Sequence, residues 1–328
     1  MTLKIAIIGM GPVVQKQYLP YLATVEDVAL GYFNRTRSTA EEAAKLRSGV
    51  VLGSLEDVAA WKPDAALVLT AETVRDEFAT ALIELGLPRL FFEKPLVARQ
   101  GQAHVTEDDF VRGRTLMHLA KSKGCETAMV FNYRFFDHTV KAKALIEERN
   151  LGRVVGFHGG VHYACWSHCI DMMLYLAGDV VEIAAQAGTV KRPIMDAVEV
   201  AGSFLFACGA GGTLLGTSGT GFAMPLYDLT FLFENGSIRL LDLDGPLELV
   251  CGSDGQSERF APGHTQSRWP LYDRSFQRSM AAYLASLRAG TPPPVPGMAG
   301  LKELQFEAAM KRSIAQKRTV DLEEEFAL

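Results

Sequence analysis

The feature that most limits the possible folds of this chain is an apolar run that ends in a glycine turn near the N-terminus. Residues 4–8 (KIAII) are followed by Gly9-Met10-Gly11, and helical spacing begins at Gln15. Two glycines between a strand and a helix allow a tight turn and a close approach of the backbone to a pyrophosphate. The pattern predicts a strand–turn–helix unit that can bind a dinucleotide.

Strand and helix patterns alternate through the rest of the first third. Strand patterns lie at residues 28–33, 65–69 and 90–92, and helical patterns at residues 39–46 and 73–85. Near-continuous apolar strands that alternate with helices are typical of a parallel sheet covered on both faces. We therefore predict an α/β fold with a Rossmann doubly wound parallel sheet over residues 1–127.

The pattern changes from about residue 128. A strand at residues 154–161 and a helix at residues 165–176 precede a long β-rich region, in which Asn235-Gly236 is the strongest hairpin signal. Helical spacing returns near the C-terminus. Residues 128–328 are therefore predicted to form an α+β domain with an open, mainly antiparallel sheet and a last helix that can pack back on the first domain.

Composition excludes several classes of protein. Hydrophobic residues make up 48% of the chain and the net charge is -5, which favours a folded protein without a nucleic-acid groove. The longest charge-free stretch, residues 200–227, is rich in glycine and predicts two strands rather than a membrane helix. Five scattered cysteines and no signal peptide indicate reduced thiols in the cytoplasm. We expect a small polar molecule as partner.

The residues after the second predicted strand bear on cofactor choice. An acidic residue that binds the ribose of NAD is common there, but this chain has Asn34-Arg35-Thr36-Arg37. No carboxylate is present to repel a 2′-phosphate, and Arg35 and Arg37 can bind one. The sequence therefore predicts NADP as the preferred cofactor, with NAD as the alternative.

Several motifs occur together and in a fixed order. They are the Gly-x-Gly turn, Glu93-Lys94-Pro95, Asn132-Tyr133-Arg134-Phe135, His168-Cys169-Ile170-Asp171 and the C-terminal segment SMAAYLASLRAGTPPPVPGMAGLKELQFEAAMKRSIAQKRTVDL. The set resembles the glucose–fructose oxidoreductase / inositol dehydrogenase / MocA (Gfo/Idh/MocA) family over nearly the whole chain. The resemblance implies an NAD(P)-dependent oxidoreductase that transfers a hydride between nicotinamide and a hydroxyl or carbonyl of a sugar, cyclitol or related molecule. It also implies a homodimer or homotetramer that assembles through the C-terminal sheet.

The resemblance further implies roles for individual residues. Lys94 and His168 are the expected catalytic groups: the lysine hydrogen-bonds the reacting oxygen, and the histidine serves as acid or base. The expected substrate contacts come from the second domain and are Asp171, Asn132, Arg134, Tyr163 and His162. The expected cofactor contacts are Gly9, Gly11, Pro12, Val13, Asn34, Arg35, Thr70, Glu93, Lys94 and Pro95.

Some positions depart from the family pattern. Val14 replaces the third glycine, Arg75 stands where a histidine is usual, and Ala164 stands where an aspartate commonly precedes the histidine by four residues. Residues 98–106 also form a longer segment than usual, which we interpret as a surface loop. Without the aspartate, a second function stays open: a cofactor-binding member without net redox turnover, such as a regulator or a transient-redox epimerase or lyase.

The cluster of histidines and cysteines around residue 165 suggests two further interpretations. Cys165, His168 and Cys169 share one helical face, close to His162, as in a zinc site. Structural zinc sites, however, usually take their ligands in two separated pairs, and the other cysteines form no pair. We predict no metal. His168 as a structural core residue is the second alternative.

Overall fold

Two sheets, one in each of two structural units, organise the chain. The computed structural model describes residues 2–191, 197–219, 221–222, 224–252, 256–261 and 267–328. The first unit comprises Met1–Phe131 and Phe276–Leu304, and the second comprises Asn132–Ser275 and Gln305–Leu328. Residues 220 and 223 of the predicted two-strand stretch lie outside the described residues. No helix within the described ranges has both the length and the apolar character needed to span a bilayer.

The sheet of the first unit is entirely parallel. Its strands are β1 (Leu3–Ile8), β2 (Val28–Phe33), β3 (Val50–Val51), β4 (Ala65–Val68), β5 (Arg89–Phe92) and β6 (Glu126–Met129). The spatial order is β3-β2-β1-β4-β5-β6, so the order reverses between β1 and β4. Every residue of β4 is buried, as expected of a strand covered on both faces. The predicted Rossmann fold is confirmed.

The first helical segment of this unit differs from the predicted one. A π-helical turn (Val14–Tyr18) leads into α1 (Leu19–Leu22), where one uniform helix was predicted. The Leu19 N–H donates to the Val14 carbonyl, and Pro20, which has no N–H to continue the α-helical pattern, comes directly afterwards. The wider turn therefore precedes the proline that an unbroken α-helix would not accommodate.

The other helices in the N-terminal part of this unit follow the strands. They are α2 (Arg37–Arg47), α3 (Leu55–Trp61), α4 (Arg75–Glu84) and α5 (Glu107–Lys123). Neither α3 nor α5 was predicted, although both begin at a capping residue. The Ser54 side chain accepts a hydrogen bond from the Asp57 N–H, and Thr106 and Asp109 form a reciprocal capping box.

A segment from the C-terminal part of the sequence lies along one edge of the first sheet. The Met129 N–H donates to the Val295 carbonyl (3.0 Å), and Ala128 forms an antiparallel bridge with Pro296. The proline-rich segment at residues 292–296 therefore lies alongside β6. The predicted domain boundary between residues 127 and 128 falls inside β6.

The second unit has a nine-stranded sheet. Its strands are β7 (Val154–His162), β8 (Val180–Ala187), β9 (Val200–Phe206), β10 (Gly211–Thr217), β11 (Tyr227–Phe233), β12 (Gly236–Leu241), β13 (Leu247–Cys251), β14 (Gln256–Phe260) and β15 (Val320–Asp321). The order is β14-β13-β12-β11-β7-β10-β9-β8-β15, and only the β7–β10 pair is parallel among the described strands. Both predicted hairpins, β9–β10 and β11–β12, are present. The mainly antiparallel sheet is confirmed.

One face of this sheet is buried and the other is largely open. Phe157 and Phe231 lie opposite each other on the buried face with ring centroids 5.0 Å apart, and Phe204 packs beside Phe157. Residues alternate between buried and exposed along β9. The remaining helices are α6 (Asp137–Glu148), α7 (Trp166–Ala177), α8 (Trp269–Ala289), α9 (Met298–Gln316) and α10 (Leu322–Glu325).

Candidate active site

The turn after β1 is tight on one side and open on the other. Gly9 has φ +95°, and a Cβ placed there would lie 2.9 Å from the backbone nitrogen of Thr70. A Cβ on Gly11, in contrast, would have no neighbour within 4 Å, and Pro12 and Val13 are exposed. The turn thus packs against the chain after β4 and leaves its outer side accessible. This cradle fits the pyrophosphate of a dinucleotide.

The residue after β2 supports the glycine turn. Asn34 Oδ1 accepts a hydrogen bond from the Met10 N–H (3.2 Å), and Asn34 Nδ2 donates to the Thr36 carbonyl (3.0 Å). Arg35 is exposed, whereas Arg37 forms a salt bridge with Glu41 (2.7 Å). The two predicted phosphate-binding arginines are therefore not equivalent to each other, because only Arg37 is held by a carboxylate on its own helix.

A buried arginine connects the chain after β4 with the chain after β5. Arg75, only 2% exposed, donates from Nη2 to the Thr70 carbonyl (2.8 Å) and from Nη1 to the Pro95 carbonyl. Burial lowers the pKa of Arg75, and the nearby carboxylate of Glu93 opposes this shift. Thr70 Oγ1 is buried and has no hydrogen-bond partner among the described residues, so it is available to a ligand.

The segment after β5 presents Lys94. Glu93 is buried and accepts hydrogen bonds from the Tyr18 hydroxyl (2.6 Å) and from the Lys94 N–H (3.0 Å). The Lys94–Pro95 peptide bond is cis. The Lys94 side chain is half-buried, and its Nζ donates to Gln102 Oε1 (3.0 Å). The lysine backbone is thus held by buried groups while its amine reaches the surface of the unit.

In the second unit, His168 lies in the first turn of α7 and is buried. Its ring stacks on Tyr133, with centroids 4.0 Å apart and planes 5° from parallel. The Tyr133 hydroxyl lies 3.2 Å from Cys165 Sγ, and burial raises the pKa of this tyrosine well above its usual value. The stacking fixes the plane of the imidazole.

Two of the predicted substrate contacts bind each other. Arg134 Nε and Nη2 donate to the two carboxylate oxygens of Asp171 (2.8 and 2.6 Å), and the guanidinium lies 4.4 Å from the ring centroid of Tyr175. Burial raises the pKa of Asp171, while the charge of Arg134 lowers it. Because both oxygens of Asp171 already accept hydrogen bonds and the residue is 1% exposed, this geometry favours a positioning role.

The other predicted substrate contacts also have local partners. Asn132 Nδ2 donates to Ser275 Oγ (2.7 Å), but its buried Oδ1 has no hydrogen-bond partner in the part of the chain that the structure describes. His162 Nδ1 accepts from the Ala164 N–H (3.1 Å), and the Tyr163 hydroxyl donates to the Val198 carbonyl (2.6 Å). Asn132 therefore keeps a free acceptor, whereas the Tyr163 hydroxyl donor is already used.

The cysteines near His168 do not form a recognisable metal site. Within the described residues, no group of three or more His, Cys, Asp or Glu side chains is arranged to hold a metal ion. Cys169 is buried, and burial raises the pKa of its thiol well above the usual value. A metal ligand must be a thiolate, so this environment disfavours ligation.

Comparison with known proteins supports the fold of the first unit. Residues 3–130 match the model of an oxidoreductase family with an NAD-binding Rossmann fold, GFO_IDH_MocA. The family resemblance is confirmed over this part of the chain. Among curated proteins, no sequence matches the chain significantly.

Solved structures resemble the whole chain in fold. An oxidoreductase from Agrobacterium radiobacter in complex with NAD+, L-tartaric acid and magnesium has a TM-score of 0.82 at 16% identity, with 99% of each chain covered. A levoglucosan dehydrogenase in complex with NADH and levoglucosan has a TM-score of 0.78 at 19% identity, covering 98% of this chain and 100% of that one. The WlbA dehydrogenase from Bordetella pertussis, in complex with NADH and UDP-GlcNAcA, has a TM-score of 0.78 at 18% identity, covering 98% and 97%.

Sequence reasoning overlooked three residues that the structure connects to the candidate site. Tyr18 bonds Glu93 across 75 positions, and no local pattern signals that contact. Tyr133 lies inside a motif that was recognised, but its stacking on His168 depends on the folded chain. Gln102 lies in the long segment after Pro95, and the extra length of that segment was the available signal.

Replacing Gly9 tests the tight side of the turn. We expect Gly9→Ala to destabilise the protein by about 1–3 kcal/mol and to weaken nucleotide binding, because alanine disfavours positive φ and its Cβ meets Thr70. Thermal unfolding and nucleotide titration measure both effects. Gly11→Ala is the control for stability, since its Cβ enters open space. Equal stability losses in the two variants would contradict this explanation of the turn.

Replacing Arg75 tests the link between Thr70 and Pro95. Arg75→Met should lower the free energy of unfolding by about 2–4 kcal/mol, because two buried carbonyls lose their donors and Glu93 loses a nearby cation. Arg75→Lys keeps the charge but cannot donate to both carbonyls. Its free energy of unfolding should therefore lie between those of wild type and Arg75→Met. Denaturant unfolding measures this, with the exposed Arg47→Met as control. A stability equal to wild type for Arg75→Met would refute the link.

Proposed function

We propose that this protein is an NAD(P)-dependent dehydrogenase or reductase that acts on a hydroxyl or carbonyl of a sugar, a cyclitol or a related small polar molecule. The observation that carries the proposal is the edge of the parallel sheet in the first unit. Strands β1, β4 and β5 are neighbours and parallel, so Gly9, Thr70 and Lys94 follow their carboxyl ends at one edge. Ligands of such sheets bind at this edge, where the strand order reverses.

The residues at this edge have the chemistry that a nicotinamide dinucleotide needs. Gly9, Gly11, Pro12 and Val13 offer an open turn, and Asn34 supports it. Thr70 Oγ1 is a buried hydroxyl still able to make a hydrogen bond, and Glu93 and Pro95 frame Lys94. The bound cofactor would accept or supply the hydride. Binding and orienting it is the part that these residues perform.

Lys94 is the proposed catalytic residue. Oxidation of an alcohol removes a hydride from carbon and a proton from oxygen, and the neutral amine of Lys94 can accept that proton. In the reverse direction its ammonium can donate a hydrogen bond, and then a proton, to the carbonyl oxygen. His168 is the second candidate for proton transfer, on the strength of the family resemblance. Asn132, Arg134, Asp171, Tyr163 and His162 are kept as candidate substrate or positioning residues.

Replacing Lys94 tests this function. The purified protein should reduce NADP or NAD with at least one member of a panel of sugars and cyclitols, followed by nicotinamide absorbance. Lys94→Ala should lower kcat by at least about a hundredfold, because the proton-transfer group is removed, and should still bind the cofactor through the other expected cofactor contacts. Lys45→Ala, which changes an exposed lysine of α2, is the matched control. Full activity in Lys94→Ala would refute the assignment.

A second function is favoured by one observation at position 164. Ala164 has no ionisable side chain, and the neighbouring Tyr163 hydroxyl donates to a backbone carbonyl. A protein with this substitution can bind nicotinamide without net turnover, as a regulator or as an epimerase or lyase that uses the cofactor transiently. Tight cofactor binding without any net absorbance change across the panel would favour this alternative over the dehydrogenase.

The preference for NADP is part of the proposal. Arg35 is exposed beside the start of α2, whose first turn contains no acidic residue. A 2′-phosphate would meet a guanidinium and the positive end of a helix there.

Replacing Arg35 tests the preference. Arg35→Ala should weaken NADP binding about tenfold and leave NAD binding nearly unchanged, because only NADP carries the 2′-phosphate. Arg37→Ala is the matched control and should have the smaller effect, since Arg37 is held by Glu41. Fluorescence titration with both nucleotides gives the dissociation constants. Equal losses for NADP and NAD would refute the preference.

Assembly and location complete the proposal. Leu205, Leu215 and Leu232 are each at least 40% exposed, on strands β9, β10 and β11 of the second unit. Exposed apolar side chains on an open sheet favour burial against another protein surface, and we propose a homodimer or homotetramer through this sheet. None of the five cysteines, all of which the structure describes, forms a disulfide, and we propose a location in the cytoplasm.

A further inference from the structure

The segment at residues 98–106, which the sequence suggested was only a surface loop, contacts the proposed catalytic lysine. Gln102 begins a short 3₁₀ turn (Gln102–His104), and its Oε1 accepts the hydrogen bond from Lys94 Nζ (3.0 Å). Lysine has a flexible four-carbon stem, so its amine has a defined position only where an acceptor holds it. Gln102 is the acceptor that the first unit supplies.

Asp109, a buried residue in the first turn of α5, braces both ends of this segment. Its Oδ1 accepts from the Arg99 N–H (2.8 Å), and its Oδ2 accepts from the Thr106 N–H (2.8 Å) and the Thr106 hydroxyl (2.8 Å). One buried carboxylate therefore fixes the point where the chain leaves the body of the unit and the point where it returns.

Glu72 holds the start and the middle of the segment. Its backbone carbonyl accepts from the Ala98 N–H (3.2 Å), and its carboxylate accepts from the Gln102 N–H (3.3 Å). Glu72 follows Thr70 by two residues, at the same sheet edge as the proposed cofactor site. The backbone of Gln102 is thus attached to the chain after β4, and the backbone of Lys94 to Glu93. Both ends of the Lys94–Gln102 contact are anchored.

We propose that Gln102 is a positioning residue that holds the Lys94 amine in place for the reaction. This inference rests on the proposed function, because it assumes that Lys94 is the catalytic residue. A neutral amide is well suited to this role, because it accepts a hydrogen bond from the ammonium without adding a charge. The lysine is thereby oriented, yet it can still exchange this acceptor for the oxygen of a substrate.

Chemical labelling of the full-length protein without substrate tests the contact. The probe is acetic anhydride at limiting concentration, and the acetylated fraction of Lys94 is measured by mass spectrometry relative to the exposed Lys45 in the same sample. Gln102→Met removes the acceptor at similar side-chain size, so the Lys94 amine is no longer held by Gln102 and becomes more accessible to the reagent. We expect Lys94 to be acetylated about two- to fivefold faster.

Two further variants separate positioning from a general loosening of the segment. Gln102→Glu substitutes a carboxylate that binds the ammonium more strongly, so Lys94 should be acetylated more slowly than in wild type. Gln100→Met makes the same change two residues earlier, at an exposed side chain of the same segment, and should leave the rate unchanged. Unchanged labelling in Gln102→Met, or the same change in Gln102→Met and Gln102→Glu, would overturn the proposal.

Steady-state kinetics then connect the contact to turnover. In Gln102→Met we expect kcat to fall about tenfold with the KM for the cofactor unchanged, and Gln102→Glu should shift the pH profile of kcat/KM to higher pH. Because the labelling needs no substrate, the two hypotheses fail separately. Altered labelling in a protein that never turns over rejects the proposed function alone, whereas normal turnover with unaltered labelling rejects Gln102.

Discussion

The buried guanidinium of Arg75 is the interaction on which the geometry of the first unit depends. A cation removed from water is costly unless its donors are satisfied and a negative charge lies near. Here the carbonyls of Thr70 and Pro95 take two of its hydrogen bonds, and Glu93 supplies the opposing charge. If the segments after β4 and β5 separated, the charge of Arg75 would either be exposed to solvent or remain buried without its partners. The Glu93 carboxylate also accepts hydrogen bonds from the Tyr18 hydroxyl and the Lys94 N–H.

This arrangement gives Lys94 a rigid backbone and an adjustable side chain. The rigid part is the Lys94 N–H, which donates to the buried Glu93 carboxylate, and the adjustable part is the amine that reaches toward residues 98–106. A proton-transfer group needs both properties, since it must be oriented before the reaction and must still change partner during it. The acidic residues around this segment, Glu72 and Asp109, bind backbone N–H groups and hold the segment in place. The acceptor left for the amine is a neutral amide.

Local patterns predicted much of the fold. The bounds of β2 were predicted without error, because its apolar run and flanking breakers are local. The pairing of Met129 with Val295 could not be predicted, since it joins segments more than 160 positions apart. The helices α3 and α5 were missed, although Ser54 and Thr106 are ordinary capping residues that can mark the start of a helix. The site followed the same rule: motifs located the candidate residues, but their partners lie elsewhere in the chain.

The pair formed by Arg134 and Asp171 shows what a sequence motif alone does not reveal, namely the partners of its residues. Both residues were expected to contact substrate, yet each satisfies the other through two short hydrogen bonds. Removing Arg134 would leave the buried charge of Asp171 unpaired, which typically costs about 3–5 kcal/mol. Loss of activity in a single variant would therefore report lost stability as readily as lost substrate binding. Asn132 is different, because its buried Oδ1 keeps a free acceptor among the described residues. Among the described residues, Asn132 Oδ1 is therefore a buried acceptor that a ligand can satisfy.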